Sequence, residues 1–409
     1  MKIPPRLARE CLSAHDFEVL ARKRLPAPLF GFVAGGSEDQ HARAGNRQSF
    51  HRYAFVPRVL RDVSQIAQDV TLFGRSYRSP FGVAPMGGVA LTSYEGDLAL
   101  ASGAAHAGIP MVVSGAALTP LEVIQAQAPG AWFQAYLSSD QQANCALVDR
   151  VGKAGYETLI VTVDTAVSAN RENNRRSGYT TPLRPDVALT WQVLTHPRWL
   201  FGTLGKTLLN SGAPRYRNLP AGNGTRAFSS AAAGLFGRRA AFDWEDLAGI
   251  RRHWPGNLVI KGVLSVEDVV LAREHGVDGV IVSNHGGRQL DSAVAPLTVL
   301  PDIVAAVPEL TVMIDSGFRR GTDVLKALAL GAKLVLIGRP FNYAAAVGGA
   351  AGVAHLAALL RDEIARDMAL LGESRVESLH PGVLRDTGVW PQIGSARRGK
   401  SATLVPTYR

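Results

Sequence analysis

"GVIVSNHGGRQLD" (279–291) is an apolar run that breaks off into polar residues and two glycines. Its first four residues read as a short strand buried on both faces, as in a parallel sheet covered by helices. A turn after that strand needs only the glycines. Asn284, His285 and Arg288 are surplus to it. A histidine three residues before an arginine, on backbone that can come close to a ligand, suggests a base beside an anion clamp.

The same pattern recurs seven more times. Working outward, the apolar runs are "FGVAP" (81–85), "IPMVVSG" (109–115), "AWFQAYL" (131–137), "TLIVTVD" (158–164), "NLVIKGV" (257–263), "LTVMIDSG" (310–317) and "LVLIGR" (334–339). Helix-period stretches separate them, among them "GDLALASGAAHAG", "PLEVIQAQA", "NCALVDRVGKAG", "VEDVVLAREHG" and "GTDVLKALALG", several closing on glycine. Eight apolar strands alternating with helices predict an α/β fold, a (β/α)8 TIM barrel. A doubly wound sheet ranks lower, because no G-x-G-x-x-G follows any of the strands.

One connection is out of scale: about ninety residues separate Asp164 from Asn257. Its last part, "FDWEDLAGIRRHW", reads as the fourth helix with Asp243 as N-cap. The rest, about 166–241, is a long insertion after strand 4. It carries eleven Lys/Arg against two acids, a net +9, so nearly all of the chain's +10 lies there. With "WLFGTLGKTLL" and "FSSAAAGLFGRRAAF" it combines positive charge and apolar pieces, the makings of a membrane-surface segment. An N-terminal segment, about 1–80, holds a helical "FEVLARKRL" and an "AGGSEDQ" turn. We read 1–409 as a single barrel domain.

The two cysteines, Cys11 and Cys145, stand in no metal or redox spacing, so no metal is expected and a reducing, cytoplasmic compartment is. No signal peptide, nucleic-acid motif or run of about 18 apolar residues occurs.

Polar residues inside barrel strands are costly unless paired, yet here they gather at the C-terminal ends, where barrel enzymes keep their sites. Gln134, Tyr136, Thr162, Asp164, Lys261, Ser283, His285, Arg288, Asp315, Arg319 and Arg339 all do so. Any one alone reads as a capped turn; six strands with the same bias do not. "DSGFRRG" (315–321) and "IGRP" (337–340) each pair glycine with arginine after strands 7 and 8, where barrels commonly hold phosphate. A buried-strand lysine, Lys261, demands a partner: a carboxylate such as Asp164, or the negative charge of a reduced ring. Phosphate, lysine, and the His285/Arg288 pair together suggest a flavin mononucleotide site with a base above the ring.

"SNHGGRQLD", "VAPMG", "FQAY", "TVDT", "IKGV", "DSGFRRGTDVLKALALGA" and "IGRP", in this order, resemble the FMN-dependent 2-hydroxy acid dehydrogenase and oxidase family over about residues 15–375. With "THPRW" (195–199), the chain is most similar to that family's bacterial membrane-associated (S)-mandelate dehydrogenases. The resemblance implies FMN contacts from Pro85, Met86, Gly87, Ser114, Gln134, Thr162, Lys261 and Ser283, with Asp315, Gly317, Arg319, Gly338 and Arg339 toward the phosphate. It makes His285 the base, Asp164 its orienting carboxylate, Arg288 and Arg171 the clamp on the substrate carboxylate, and Tyr136 a donor to substrate oxygen.

It also implies oxidation of an (S)-2-hydroxy acid to the 2-keto acid, a quinone as acceptor, a homotetramer, and peripheral attachment to the inner face of the cell membrane. A soluble oxidase using oxygen is the near alternative; an FMN barrel with a non-redox role, such as an isomerase, is the distant one. Two positions depart from the family. Phe32 stands where a substrate-binding tyrosine is expected, and Ala116 where some oxidases carry tryptophan. Both changes predict a roomier, more apolar pocket suited to aryl or large substrates.

Overall fold

The computed structural model of the chain describes residues 1–180, 186–220, 224–233 and 239–388. The eight apolar runs form eight strands: β1 (Phe81–Val83), β2 (Val112–Ser114), β3 (Trp132–Ala135), β4 (Thr158–Thr162), β5 (Asn257–Val263), β6 (Gly279–Val282), β7 (Thr311–Ile314) and β8 (Leu334–Ile337). They lie in one sheet in the order β1-β8-β7-β6-β5-β4-β3-β2, every pair parallel. A parallel bridge between Val83 and Met111 closes β1 onto β2, and the Val83 N–H donates to Pro110 O at 2.9 Å.

Both faces of each strand are buried, which is why the sequence shows runs rather than alternation. Alternate residues, Val112, Trp132, Ile160, Val259, Ile281 and Met313 among them, fill the barrel interior. The intervening ones, such as Val113, Phe133, Val161 and Ile260, pack against the helices. An antiparallel hairpin (Val70–Leu72, Arg75–Tyr77) plugs the N-terminal end: Leu72 and Tyr77 join the interior cluster, and Trp132 Nε1 donates to the Tyr77 hydroxyl at 3.2 Å.

The fourth helix is Trp244–His253, and Asp243 caps it in a reciprocal box with Asp246. β6 stops at Val282 because Asn284–Arg288 turns away, and His285 itself takes φ +58, outside the strand region.

The N-terminal segment folds as helices Pro5–Glu10, Ala14–Arg24, Ala27–Ala34 and His41–Gln48, and a strand Tyr53–Phe55 that pairs antiparallel with Leu384–Asp386. The helix Arg339–Leu371, kinked at Gly349, is long and apolar enough to cross a membrane, although no unbroken run in the sequence suggested it. It packs instead against Gly96–Ala107 and Ala14–Arg24, as a core helix does.

The excursion after β4 contains Glu172–Arg176, Val187–Leu194, Pro197–Trp199 and Lys206–Ser211. Buried Trp199 anchors it by donating from Nε1 to Leu91 O at 2.9 Å. Buried Asn218 donates to Thr119 O at 2.8 Å and accepts from Leu121 N–H at 2.9 Å. Of the apolar stretch 228–242, residues 234–238 lie outside the described residues.

Candidate active site

The loop after β6 is pinned from three sides. Asn284 exchanges two side-chain hydrogen bonds with buried Asn46 of helix His41–Gln48, at 2.8 and 2.7 Å. Ser283 Oγ accepts from the His285 N–H at 3.0 Å, and Ser316 Oγ accepts from the Gly286 N–H at 3.0 Å. Gly287 takes φ +71, and a Cβ there would sit 2.4 Å from the Arg43 backbone nitrogen, so no other residue fits. The loop therefore holds His285 in a left-handed conformation that is costly for a non-glycine residue.

His285 Nδ1 lies 2.9 Å from Asp164 Oδ1, at the end of β4. With Nδ1–H donated to the carboxylate, Nε2 carries the free lone pair. Burial pulls the His285 pKa below its ordinary value, against the opposing pull of Asp164. Burial alone would raise Asp164, but His285 and Lys261 outweigh it and hold the carboxyl below the usual range. The pair thus stands as a neutral imidazole on an ionised carboxylate, the arrangement of an oriented general base.

Lys261 projects from β5 beside a bulge. The register between β5 and β6 shifts between Lys261 and Val263, and Gly262 takes φ +111, where a Cβ would fall 2.6 Å from the Asp164 Cβ. The glycine thus leaves room for the carboxylate behind the base. Lys261 Nζ lies 3.0 Å from Asp315 Oδ2 and donates to Ser283 Oγ at 2.8 Å. Its carboxylate partner is Asp315, not Asp164. Burial disfavours its charge, but Asp315 and then Asp164 overcome that and raise its pKa.

One cavity of about 1020 Å³ opens at this end of the barrel. All five residues expected at the substrate, Phe32, Tyr136, Arg171, His285 and Arg288, line it. So do Pro85, Met86, Gly87, Gln134, Thr162, Lys261, Asp315, Gly317, Arg319, Gly338 and Arg339 from the expected cofactor set. Ser114 and Ser283 stand behind the wall: Ser114 Oγ donates to Gln134 Oε1 at 3.1 Å, as Ser283 holds Lys261. Each is thus hydrogen-bonded to a residue that lines the cavity.

Arg288 Nη1 donates to Phe32 O at 2.8 Å and Gly35 O at 2.9 Å, and its guanidinium lies 5.3 Å from the Phe32 ring centroid. Arg171 donates to Arg288 O at 3.1 Å and Gln289 Oε1 at 2.7 Å. Burial, then Arg171 and Arg339, push the Arg288 pKa well down. Two part-buried guanidinia lining one cavity favour an anion between them. At the other end, Arg319 bonds Glu18, and Arg339 donates to Val33 O at 3.0 Å, Gly35 O at 2.8 Å and Gly286 O at 3.0 Å. Arg339 opens the helix Arg339–Leu371, whose N-terminus favours phosphate.

Among the cavity residues that escape the sequence reading are Tyr179, Tyr216 and Arg239. Arg239, buried, lies 4.4 Å from the Tyr136 ring centroid and donates to Thr165 Oγ1 at 3.3 Å. Tyr179 stacks on Phe32 with ring centroids 4.5 Å apart. All three come from the excursion, where they disappear into a bulk count of charge and apolar residues. Arg171, in the same segment, was the available signal that the excursion reaches the site.

The site fits a flavin. Gln134 Nε2 is a buried donor without an acceptor among the described residues, as a carbonyl-bearing ring edge requires, and cationic Lys261 lines the same cavity. The volume is at the upper end of the usual range for one ligand, enough for cofactor and substrate together.

The comparisons agree. The FMN-dependent dehydrogenase family matches residues 21–386. The chain is 36% identical to (S)-mandelate dehydrogenase of Pseudomonas putida over 94% of its length and 96% of that protein's. It is 37% identical to L-lactate oxidase of a Nostoc strain over 91% of its length and 98% of that protein's. A crystal structure of the monotopic membrane protein (S)-mandelate dehydrogenase superposes with a TM-score of 0.86 at 36% identity, covering 92% of this chain and 99% of that one. The chain belongs to the FMN-dependent dehydrogenases, takes FMN as its cofactor, and is an oxidoreductase acting on 2-hydroxy acids.

Proposed function

We propose that the protein oxidises an (S)-2-hydroxy acid with an aryl or other large apolar side chain to the 2-keto acid, and delivers the electrons to a quinone at the membrane. The observation that carries this reading is the 2.9 Å His285–Asp164 contact opening onto the cavity that Arg171 and Arg288 share. His285 Nε2 removes a proton from the substrate CH–OH unit, and Asp164 stabilises the imidazolium that results. Arg288 and Arg171 hold the carboxylate, and Tyr136 donates to a substrate oxygen. When bound, FMN accepts the two electrons.

Lys261 and Gln134 would hold the flavin ring. Pro85, Met86, Gly87 and Thr162 would flank it, with Ser114 and Ser283 behind. Asp315, Gly317, Arg319, Gly338 and Arg339 would serve the ribityl and phosphate end, Arg319 sharing its charge with Glu18. The apolar wall of Phe32, Met86, Leu91 and Ala116 supports a large substrate. A Cβ on Gly87 would sit 2.7 Å from the Ala116 Cβ, so these two small residues depend on each other.

The excursion supports the membrane role. Val187, Trp191, Leu194, Phe201 and Leu209 are each at least 60% exposed there, beside Arg198 and Lys206. Attachment from the cytoplasmic side, as a tetramer, completes the reading. The test is anaerobic bleaching of the yellow protein with (S)-mandelate, (R)-mandelate, lactate and glycolate, followed by reoxidation with a quinone analogue or oxygen. Fastest bleaching by (S)-mandelate and reoxidation by quinone support it. Glycolate or lactate as the best reductant refutes the large substrate, and faster reoxidation by oxygen refutes the quinone.

A further inference from the structure

The floor of the carboxylate clamp is an aromatic ring with no hydroxyl. Phe32 sits with the Arg288 guanidinium 5.3 Å from its ring centroid, and its side chain offers that cation only a π-face. A carboxylate drawn between Arg171 and Arg288 still has lone pairs to satisfy, and a buried anion gains from each donor aimed at it. The hydroxyl lies one ring away. Tyr179 stacks on Phe32 at 4.5 Å with 23° between the ring planes, lines the same cavity, and follows Arg171 on one short stretch of chain.

That stretch is fixed. Helix Glu172–Arg176 begins directly after Arg171, and the Tyr179 N–H closes back on Asn174 O at 2.8 Å. Asn173 Nδ2 donates to Gly31 O at 2.8 Å, tying the stretch to the helix that carries Phe32. The stacked pair is therefore held by backbone on both sides, and Arg171 and Tyr179 flank one hydrogen-bonded helical turn.

Resting on the carboxylate reading above, we propose that Tyr179 is a substrate-binding residue whose hydroxyl donates to the 2-hydroxy acid carboxylate, the role Phe32 cannot fill. Burial, assisted by Tyr216 and opposed by Arg288 and Arg171, raises the Tyr179 pKa, so the phenol stays a donor throughout the working range. Tyr136, with the Arg239 guanidinium 4.4 Å from its ring, also faces the two clamp arginines and keeps the role given it above, so Tyr179 adds a second phenol to the clamp.

The experiment uses the FMN-loaded protein and three variants: Tyr179→Phe, Phe32→Tyr, and the two combined. Binding of 2-keto-2-phenylacetate, an unreactive carboxylate, is titrated by the flavin absorbance, so the readout does not depend on turnover. Anaerobic reduction by mandelate and by its methyl ester is measured alongside. Tyr179→Phe is expected to weaken the carboxylate by about ten- to a hundredfold, the effect of one hydrogen bond to a charged group. The ester should change by no more than about twofold, and the combined variant should regain carboxylate affinity by returning a hydroxyl from the facing ring. Equal losses on acid and ester, an unchanged carboxylate affinity, or no recovery in the combined variant overturns the proposal. If mandelate and its ester both fail to reduce the parent while the keto acid still binds more weakly to Tyr179→Phe, the substrate reading falls and the assignment of Tyr179 stands.

Discussion

The barrel and the excursion after β4 use apolar residues in opposite ways. In the barrel, nearly every strand residue is buried, on the interior or against the helices. In the excursion, helices Val187–Leu194 and Lys206–Ser211 bury none of their residues. Yet the excursion is not loosely attached, since Trp199 and Asn218 are buried and hydrogen-bonded to the barrel's loops. The lesson is that burial follows the partner, not the composition. The barrel supplies its own apolar partner; the outer face of the excursion waits for one, and the inner face, through Arg171, Tyr179 and Arg239, builds the site.

The comparison breaks first if chemistry does not reside in the barrel loop. His285→Ala should keep FMN yet lose anaerobic flavin reduction by about 10²–10⁴-fold, the usual contribution of a positioned base. Stopped-flow absorbance reads this, and a near-parental rate would move the base elsewhere. Next comes the barrel as a closed electrostatic interior. Lys261→Met leaves Asp315 as a buried carboxylate without its cation and should destabilise the fold by about 3–5 kcal/mol, read from urea unfolding midpoints.

The excursion is tested by Trp191→Asp, Phe201→Asp and Leu209→Asp together. This variant should stop pelleting with anionic vesicles while still reducing a soluble dye at the parental rate. The basic residues alone contribute about 1 kcal/mol each and are screened by salt, so residual binding should vanish at high ionic strength. Pelleting equal to the parent's would show that the exposed apolar face is not the contact.

The smallest expected effect is on the pH dependence of turnover. The acid limb of kcat/KM reports deprotonation of the base, and burial places it below the ordinary histidine value. Asp164 raises the His285 pKa, so Asp164→Asn leaves burial less opposed and should move that limb to lower pH as well as lowering the plateau. A limb displaced upward would mean that His285 is not the group titrating.

Those two regions also differ in how far the sequence can be read. Periodicity exposes β1–β8 because each strand is buried on two faces, and the polar residues at their C-terminal ends mark the site. Phe32 is legible as a residue of the site, and its ring lies 5.3 Å from the Arg288 guanidinium. The partner of Lys261 is legible only as a need for some carboxylate. Choosing Asp315 over Asp164 depends on the register of β5, β6 and β7 around the bulge at Gly262. Tyr179 and Arg239 are not legible, because the excursion has no repeating pattern and its inward residues are selected by contacts far along the chain.

Two of the site's arginines also hold the end of the helix Ala27–Ala34. Arg288 and Arg339 donate to Phe32 O, Val33 O and Gly35 O across sequence separations of 253 to 306 residues. A helix C-terminus with free carbonyls thus finds its donors in residues made near the end of synthesis. On the ribosome, this helix emerges among the first elements, and the carbonyls at its C-terminus lack their full set of donors until the chain has passed Arg339. A nascent chain stalled just before Arg339 can have all eight strands and still leave the end of the helix that carries Phe32 short of its last donor.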